Sequence, residues 1–130
     1  MELTCTQLAD FIIKTIKDLD EKSKDLEVRA KAKARLIAKY EKKLAITMEY
    51  LRSGKDFELT DKNGEKVKMT SSSLGLIEKY AKGICAIDKY HAEFAEARYK
   101  NILTEIEIKK TQLNGYQSIN RNLDNISSNR

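Results

Sequence analysis

Ile12, Ile16, Leu19, Ser23, Leu26, Ala30, Lys33, Ile37, Tyr40, Leu44, Thr47 and Leu51 succeed one another at alternating steps of four and three residues. All but Ser23, Lys33 and Thr47 are apolar. A step averaging about 3.5 residues keeps one stripe of an α-helix turned toward a partner helix along a shallow left-handed supercoil. No proline interrupts the pattern, since the chain contains none. The stretch predicts a helix over residues 4–53, about 70 Å long at 1.5 Å per residue. Thr4, with Gln7 three residues later, has the form of a capping box, in which each side chain satisfies a free backbone N–H of the other residue. Ser53-Gly54 is expected to end the helix, because glycine takes the left-handed conformation that a C-cap uses.

Beyond Gly54 the apolar period shortens to about 2 residues in Phe57, Leu59, Val67 and Met69, which flank Asn63-Gly64. A two-residue turn would set Leu59 opposite Lys68 and scatter the apolar side chains over both faces. A loop of Lys62-Asn63-Gly64, with Gly64 left-handed, sets Leu59 opposite Val67 and Phe57 opposite Met69, leaving one face apolar. The reading is a small β-hairpin over residues 56–70. Such a ribbon is marginal in water unless its apolar face rests on something. Ser71-Ser72-Ser73 forms a typical N-cap stretch for a second helix over 72–114. Its stripe runs through Ile77, Tyr80, Ile84, Ile87, His91, Phe94, Arg98, Ile102, Ile106 and Leu113, with a stutter of widened steps between Phe94 and Ile102. Asn114-Gly115 is expected to break it, and a short amphipathic helix over 116–127 follows.

Together these elements predict an all-α fold. It is an elongated antiparallel two-helix hairpin with coiled-coil character, a small β-hairpin at its tip and a short C-terminal helix, in a single domain over residues 1–130. Folding back across the hairpin would place Leu44 with Tyr80 and Ala81, Tyr40 with Ile84, Ile37 with Ile87, Ala30 with Phe94 and Ala95, and Ile12 with Leu113. The polar pair Lys33 and His91 would share a layer.

Charged residues make up 35% of the chain and hydrophobic ones 41%, which suits long helices with solvated flanks. The net charge of +5 permits a polyanionic partner without requiring one. Apolar runs such as Phe11-Ile12-Ile13 are too short to span a bilayer, so no membrane partner is expected. Glu2 and Asp10 do not suit a secretory leader, and Cys5 and Cys85 are too few for a disulfide framework or a zinc site. A cytoplasmic location, in a cell or a virus-infected host cell, is the expectation.

His91 is the single histidine. Its place in the stripe beside Lys33 argues for a buried or half-buried packing residue rather than an acid or base. Without a metal-ligand cluster, a glycine-rich phosphate loop or a paired nucleophile and base, the sequence predicts no enzyme activity, no cofactor and no metal. The stretch from Arg29 to Lys43 is chemically the most pointed. It holds Arg29, Lys31, Lys33, Arg35, Lys39, Lys42 and Lys43 against one acid, Glu41. Lys31, Arg35, Lys39 and Lys42 or Lys43 recur about one turn apart and form a basic stripe beside the apolar one. Arg29, Lys31, Arg35, Lys39, Lys42 and Lys43 are therefore the candidate nucleic-acid-binding residues, set against the plainer reading of a solvated helix face. Tyr40 is assigned to the apolar stripe, so no aromatic stacking platform is expected, and binding would be indifferent to base sequence. Arg98 either pairs with Glu27 at the edge of the helix contact or is exposed. Phe57, Leu59, Val67, Met69, Leu103 and Ile108 are left uncovered by a two-helix contact and are assigned to an oligomer or partner interface.

With the elements placed, the chain resembles the UvsY-type recombination mediators of large tailed phages. The likeness lies in Lys42-Lys43-Leu44-Ala45-Ile46, in the ending from Tyr50 to Gly54, in Val67-Lys68-Met69-Thr70, and in Tyr80-Ala81-Lys82-Gly83-Ile84-Cys85-Ala86-Ile87. It extends over residues 30–105. The resemblance implies a small cytosolic protein that binds single-stranded DNA, forms ring-like homo-oligomers and loads a recombinase. The alternative expectation is a protein-binding module, such as a viral inhibitor of a host defence complex, a chaperone or an assembly adaptor.

Overall fold

The computed structural model describes residues 3–53, 57–60, 63–64, 66–69 and 74–128, with side chains for all of these except 57–60, 66–69, 74, 75, 127 and 128. In chain order the elements are helix α1 (Cys5–Arg52), strands β1 (Phe57–Thr60) and β2 (Lys66–Met69), and helices α2 (Leu74–Ile84) and α3 (Ala86–Ser128). Both halves of the capping box are present at the start of α1. The Thr4 N–H donates to Gln7 Oε1 at 3.0 Å, and the Gln7 N–H donates to Thr4 Oγ1 at 3.2 Å. At the other end the Ser53 N–H reaches the Glu49 carbonyl at 3.1 Å and its hydroxyl the Tyr50 carbonyl at 2.6 Å, which closes the last turn. Gly54 and the Ser71–Ser73 cap lie outside the described residues. The two strands are antiparallel, with Phe57 across from Met69 and Leu59 across from Val67, and Gly64 between them has φ of +79°.

The expected architecture needs correction in its helices. Among the described residues there are three, of 48, 11 and 43 residues, and no separate short C-terminal helix. The interruption falls at Cys85, not at Asn114-Gly115. It is slight, because Cys85 N–H still bonds to the Ala81 carbonyl and Lys89 N–H to the Cys85 carbonyl, each at 3.0 Å. Gly115 lies inside α3 without ending it. Glycine in an exposed helix interior costs only about 1 kcal/mol relative to alanine. The half-buried residues on either side, Leu113 and Tyr116, hold that turn in place, Tyr116 by stacking on Phe11 at 5.6 Å between ring centroids.

The chain forms two compact units, one of Met1–Lys31 with Ala97–Arg130 and one of Ala32–Glu96. In the first, α1 and α3 run antiparallel in a regular register. Arg29 donates to the Arg98 carbonyl at 2.9 Å, Lys22 pairs with Glu105 at 3.0 Å, Asp18 with Lys109 at 3.3 Å, and Phe11 stacks on Tyr116. Steps of seven, four and seven residues along α1 are thus matched by the same steps along α3. In the second unit Leu51, Ile77 and Ala81 are buried together, with Leu44, Met48 and Tyr80 packed on them. Thr47 and Cys85 come within 3.7 Å, and Lys43 pairs with Asp88 at 2.6 Å.

The buried stripe of α2 and α3 is not the expected one. From Ala81 it steps by four and three through Cys85, Asp88, Ala92, Ala95, Tyr99, Ile102 and Ile106, all buried or half-buried. Ile87, His91, Phe94 and Arg98 are exposed. The stripe therefore contains no stutter. Small residues at Cys85, Ala92 and Ala95 allow a helix to approach its neighbour closely, and close approach gains more contact than burying the bulkier side chains one position earlier. A similar shift occurs on α1, where Thr15 is 5% exposed and Ile16 is 51% exposed. The Thr15 hydroxyl donates to the Phe11 carbonyl at 2.7 Å, so its burial leaves no polar group unpaired. Half-buried Lys22 likewise replaces exposed Ser23.

Candidate nucleic-acid interface

Six cations were expected to bind nucleic acid, and the structure separates them into engaged and open groups. Arg29 is half-buried, paired with Asp25 at 2.9 Å as well as bonded to the Arg98 carbonyl. Lys31 pairs with Glu27 at 3.0 Å, one turn earlier on the same helix. Both belong to the first unit. Lys43 is held by Asp88. Arg35, Lys39 and Lys42, all in the second unit, are exposed and form no ion pair among the described residues. Their steps of four and three put them on one side of α1, because i+3 and i+4 neighbours share a helix face.

Lys43 and Asp88 set the electrostatics beside this face. Their hydrogen bond raises the Lys43 ammonium above the ordinary lysine value, against a smaller opposing effect of burial. The same bond holds the Asp88 carboxyl below the ordinary aspartate value, and nearby Lys39 adds to that lowering. One acid thus faces two cations of the stripe and formally neutralises only one of them. The local excess remains positive, which suits an anionic chain.

Several sequence expectations change here. His91 is exposed and sits edge-on to Tyr90, with centroids 5.7 Å apart and rings at 64°; it is not a packing residue. Of the two settings expected for Arg98 the structure shows the exposed one, and Glu27 pairs with Lys31 instead. Leu103 and Ile108 are 37% and 53% exposed. Five residues apart on one helix, they point about 140° apart and do not share a face. The side chains of Phe57, Leu59, Val67 and Met69 lie outside the described residues. Phe94, expected in the packed stripe beside Ala30, is instead 54% exposed. Its ring stacks at 6.3 Å between centroids, 15° from parallel, on that of Tyr90, which is 63% exposed and was not singled out from the sequence. The 4-3 spacing of Cys85, Asp88, Ala92 and Ala95 was the available signal, masked by the larger apolar residues next to it.

Among the described residues no three His, Cys, Asp or Glu side chains gather as a metal site, and no helix is long and apolar enough to cross a membrane. No protein-family model matches the chain, and no curated protein and no solved structure matches it.

Proposed function

We propose that this chain is a non-enzymatic accessory protein that binds single-stranded nucleic acid, in the manner of a phage recombination mediator. One observation carries the reading: Arg35, Lys39 and Lys42 stand exposed along one side of α1 with no ion pair among the described residues, whereas Arg29, Lys31 and Lys43 around them are engaged. Three open cations at helical spacing can follow a phosphate backbone without reading bases. Fluorescence anisotropy of a labelled oligothymidylate against salt tests it. Three phosphate contacts on a single strand give a slope of log K against log salt near −2. Converting Arg35, Lys39 and Lys42 to Glu removes the binding, whereas Lys31→Glu leaves most of it. If the unmodified protein does not bind at low salt, the reading is wrong.

A second reading, a self-associating protein-binding module, is supported by a separate observation. Ile13 and Ile16, one turn apart on α1, are 61% and 51% exposed, leaving bulky apolar surface that a second copy of the chain would cover.

A further inference from the structure

One face of α3 is exposed from Ile87 to Ile108. Two residues beyond each step of the packed stripe, about 200° around the helix, come Ile87, Tyr90, Phe94, Ala97, Asn101, Thr104 and Ile108. All seven are exposed, and the bulky apolar ones are each more than half exposed. One unbroken helix carries them, and their steps of three and four repeat the period of the packed stripe. A single left-handed supercoil therefore keeps both stripes straight. We propose that this outward stripe pairs with the same stripe of a second copy of the chain, as a parallel, unshifted coiled coil. The pairing uses neither the open cations of α1 nor the exposed Ile13 and Ile16.

The polar residue of the stripe says what covers it. Ile87, Phe94, Asn101 and Ile108 hold one core position of successive heptads, and Tyr90, Ala97 and Thr104 hold the other. A wholly apolar partner would bury the Asn101 amide without a counterpart. A second copy in the same direction and register sets Asn101 against Asn101, and the N–H of one amide donates to the carbonyl oxygen of the other. An asparagine at this position is a recognised means of fixing direction and register between two helices. Ile87, Phe94 and Ile108 then each meet their own kind. An antiparallel copy sets the first core position against the second, and the amide pair is lost.

Charge selects the same arrangement. In a parallel pair, the residue before a core position lies beside the residue five further on in the other helix. Glu93 then faces Arg98 of the second copy and Lys100 faces Glu105, opposite signs at both places, each repeated by two-fold symmetry. Within one chain, among the described residues, the Arg98 guanidinium forms no ion pair and Glu93 reaches Lys89 only at 3.9 Å. Glu105 is already bonded to Lys22 at 3.0 Å, so Glu93 with Arg98 carries the selection. An antiparallel pair that sets Asn101 against Ala97 puts Arg98 beside Arg98 and Lys100 beside Lys100, which like-charge repulsion opposes. Because α3 is already folded in the protomer, association orders only side chains.

Sedimentation equilibrium of the full chain and its variants tests the proposal. Ile87→Glu with Phe94→Glu should raise the dissociation constant of the pair about thirtyfold or more, with helix content by circular dichroism retained. Arg98→Glu should also weaken the pair, and Glu93→Arg added to it should restore the pair, since opposite charges face each other again. Cross-linking reads the direction. In a Cys5→Ser chain under oxidised glutathione, Asn101→Cys should form an interchain disulfide, whereas Leu103→Cys, off the stripe, should not. Ile13→Lys with Ile16→Lys should leave pairs of protomers, not single ones. In chains diluted to single protomers, Phe94→Ala should unfold in urea as the unmodified protein does. A pair that survives Ile87→Glu with Phe94→Glu overturns the proposal, and its loss in the Ile13 and Ile16 variant assigns the contact to that other face. A pair that shows neither the charge rescue nor the Asn101→Cys cross-link overturns the parallel arrangement. A single protomer at every concentration overturns both this pairing and the contact at Ile13 and Ile16. These readouts contain no nucleic acid, so the single-strand reading stands or falls apart from them.

Discussion

Lys43 and Asp88 connect α1 to α3 through a 2.6 Å bond that holds only while both groups are charged. Asp88 is lowered on folding, so its contribution is present above the ordinary aspartate value of 3.8 and is lost as pH falls through the lower folded value. Lys43 is raised, so its contribution is present below 10.5 and is lost as pH rises through the higher folded value. Asp88→Asn should therefore melt below the unmodified protein by a constant margin between those limits. The margin should shrink in acid below the aspartate range and in base above the lysine range. Thermal melts followed by circular dichroism across pH check this; a margin that persists in strong acid would mean that the charge pair is not its source. The same carboxylate also illustrates why charge counting along the chain was insufficient. Seven basic residues between positions 29 and 43 look alike in sequence, and only their neighbours in space separate engaged cations from open ones.

At the scale of the element, helix α3 is informative because two stripes compete along it. Ile84, Ile87, His91 and Phe94 form one, and Cys85, Asp88, Ala92 and Ala95 form the other, one residue and about 100° around. Hydrophobicity favours the first and close packing the second, and the second is the one buried. A matched set of substitutions reads this directly. Ile102→Ala, at a side chain 1% exposed, should cost about 2–5 kcal/mol of stability. Ile16→Ala and Phe94→Ala, at exposed positions, should stay within about 0.5 kcal/mol. Urea denaturation measures all three, and a large loss at Phe94 would restore the stripe that hydrophobicity alone suggests. Helix boundaries were more legible than faces. The capping box at Thr4 and Gln7 is a contact between near neighbours, and the sequence displays it in full. Gly115 misled because its helix-breaking tendency is small beside the packing of the turns around it.

For the whole molecule, a net charge of +5 is distributed over two units that each have their own packed residues. Charge and apolar surface therefore need not serve one purpose. The open cations lie in the unit of Ala32–Glu96, whereas exposed Ile13 and Ile16 lie in the other. Sedimentation equilibrium should accordingly find the chain self-associated. Ile13→Lys with Ile16→Lys should lower the assembled mass while leaving binding of oligothymidylate by a single protomer in place. A unit mass at every concentration would remove the second reading and leave the first untouched.

The amino-acid sequence by itself determined that the chain is helical over most of its length, where α1 begins and ends, and that long apolar stripes must be covered. Those properties depend on backbone propensity, capping and spacing between residues that are close along the chain. The tertiary structure alone decided which stripe of each helix is buried, which cations are paired, and that Tyr90 and Phe94 stand outward. These depend on the side chains of a partner segment some forty to ninety residues away, as for Lys43 with Asp88 and Asp18 with Lys109. Choosing between neighbouring stripes is settled by how closely two helices can approach, a property of the pair that neither helix carries alone.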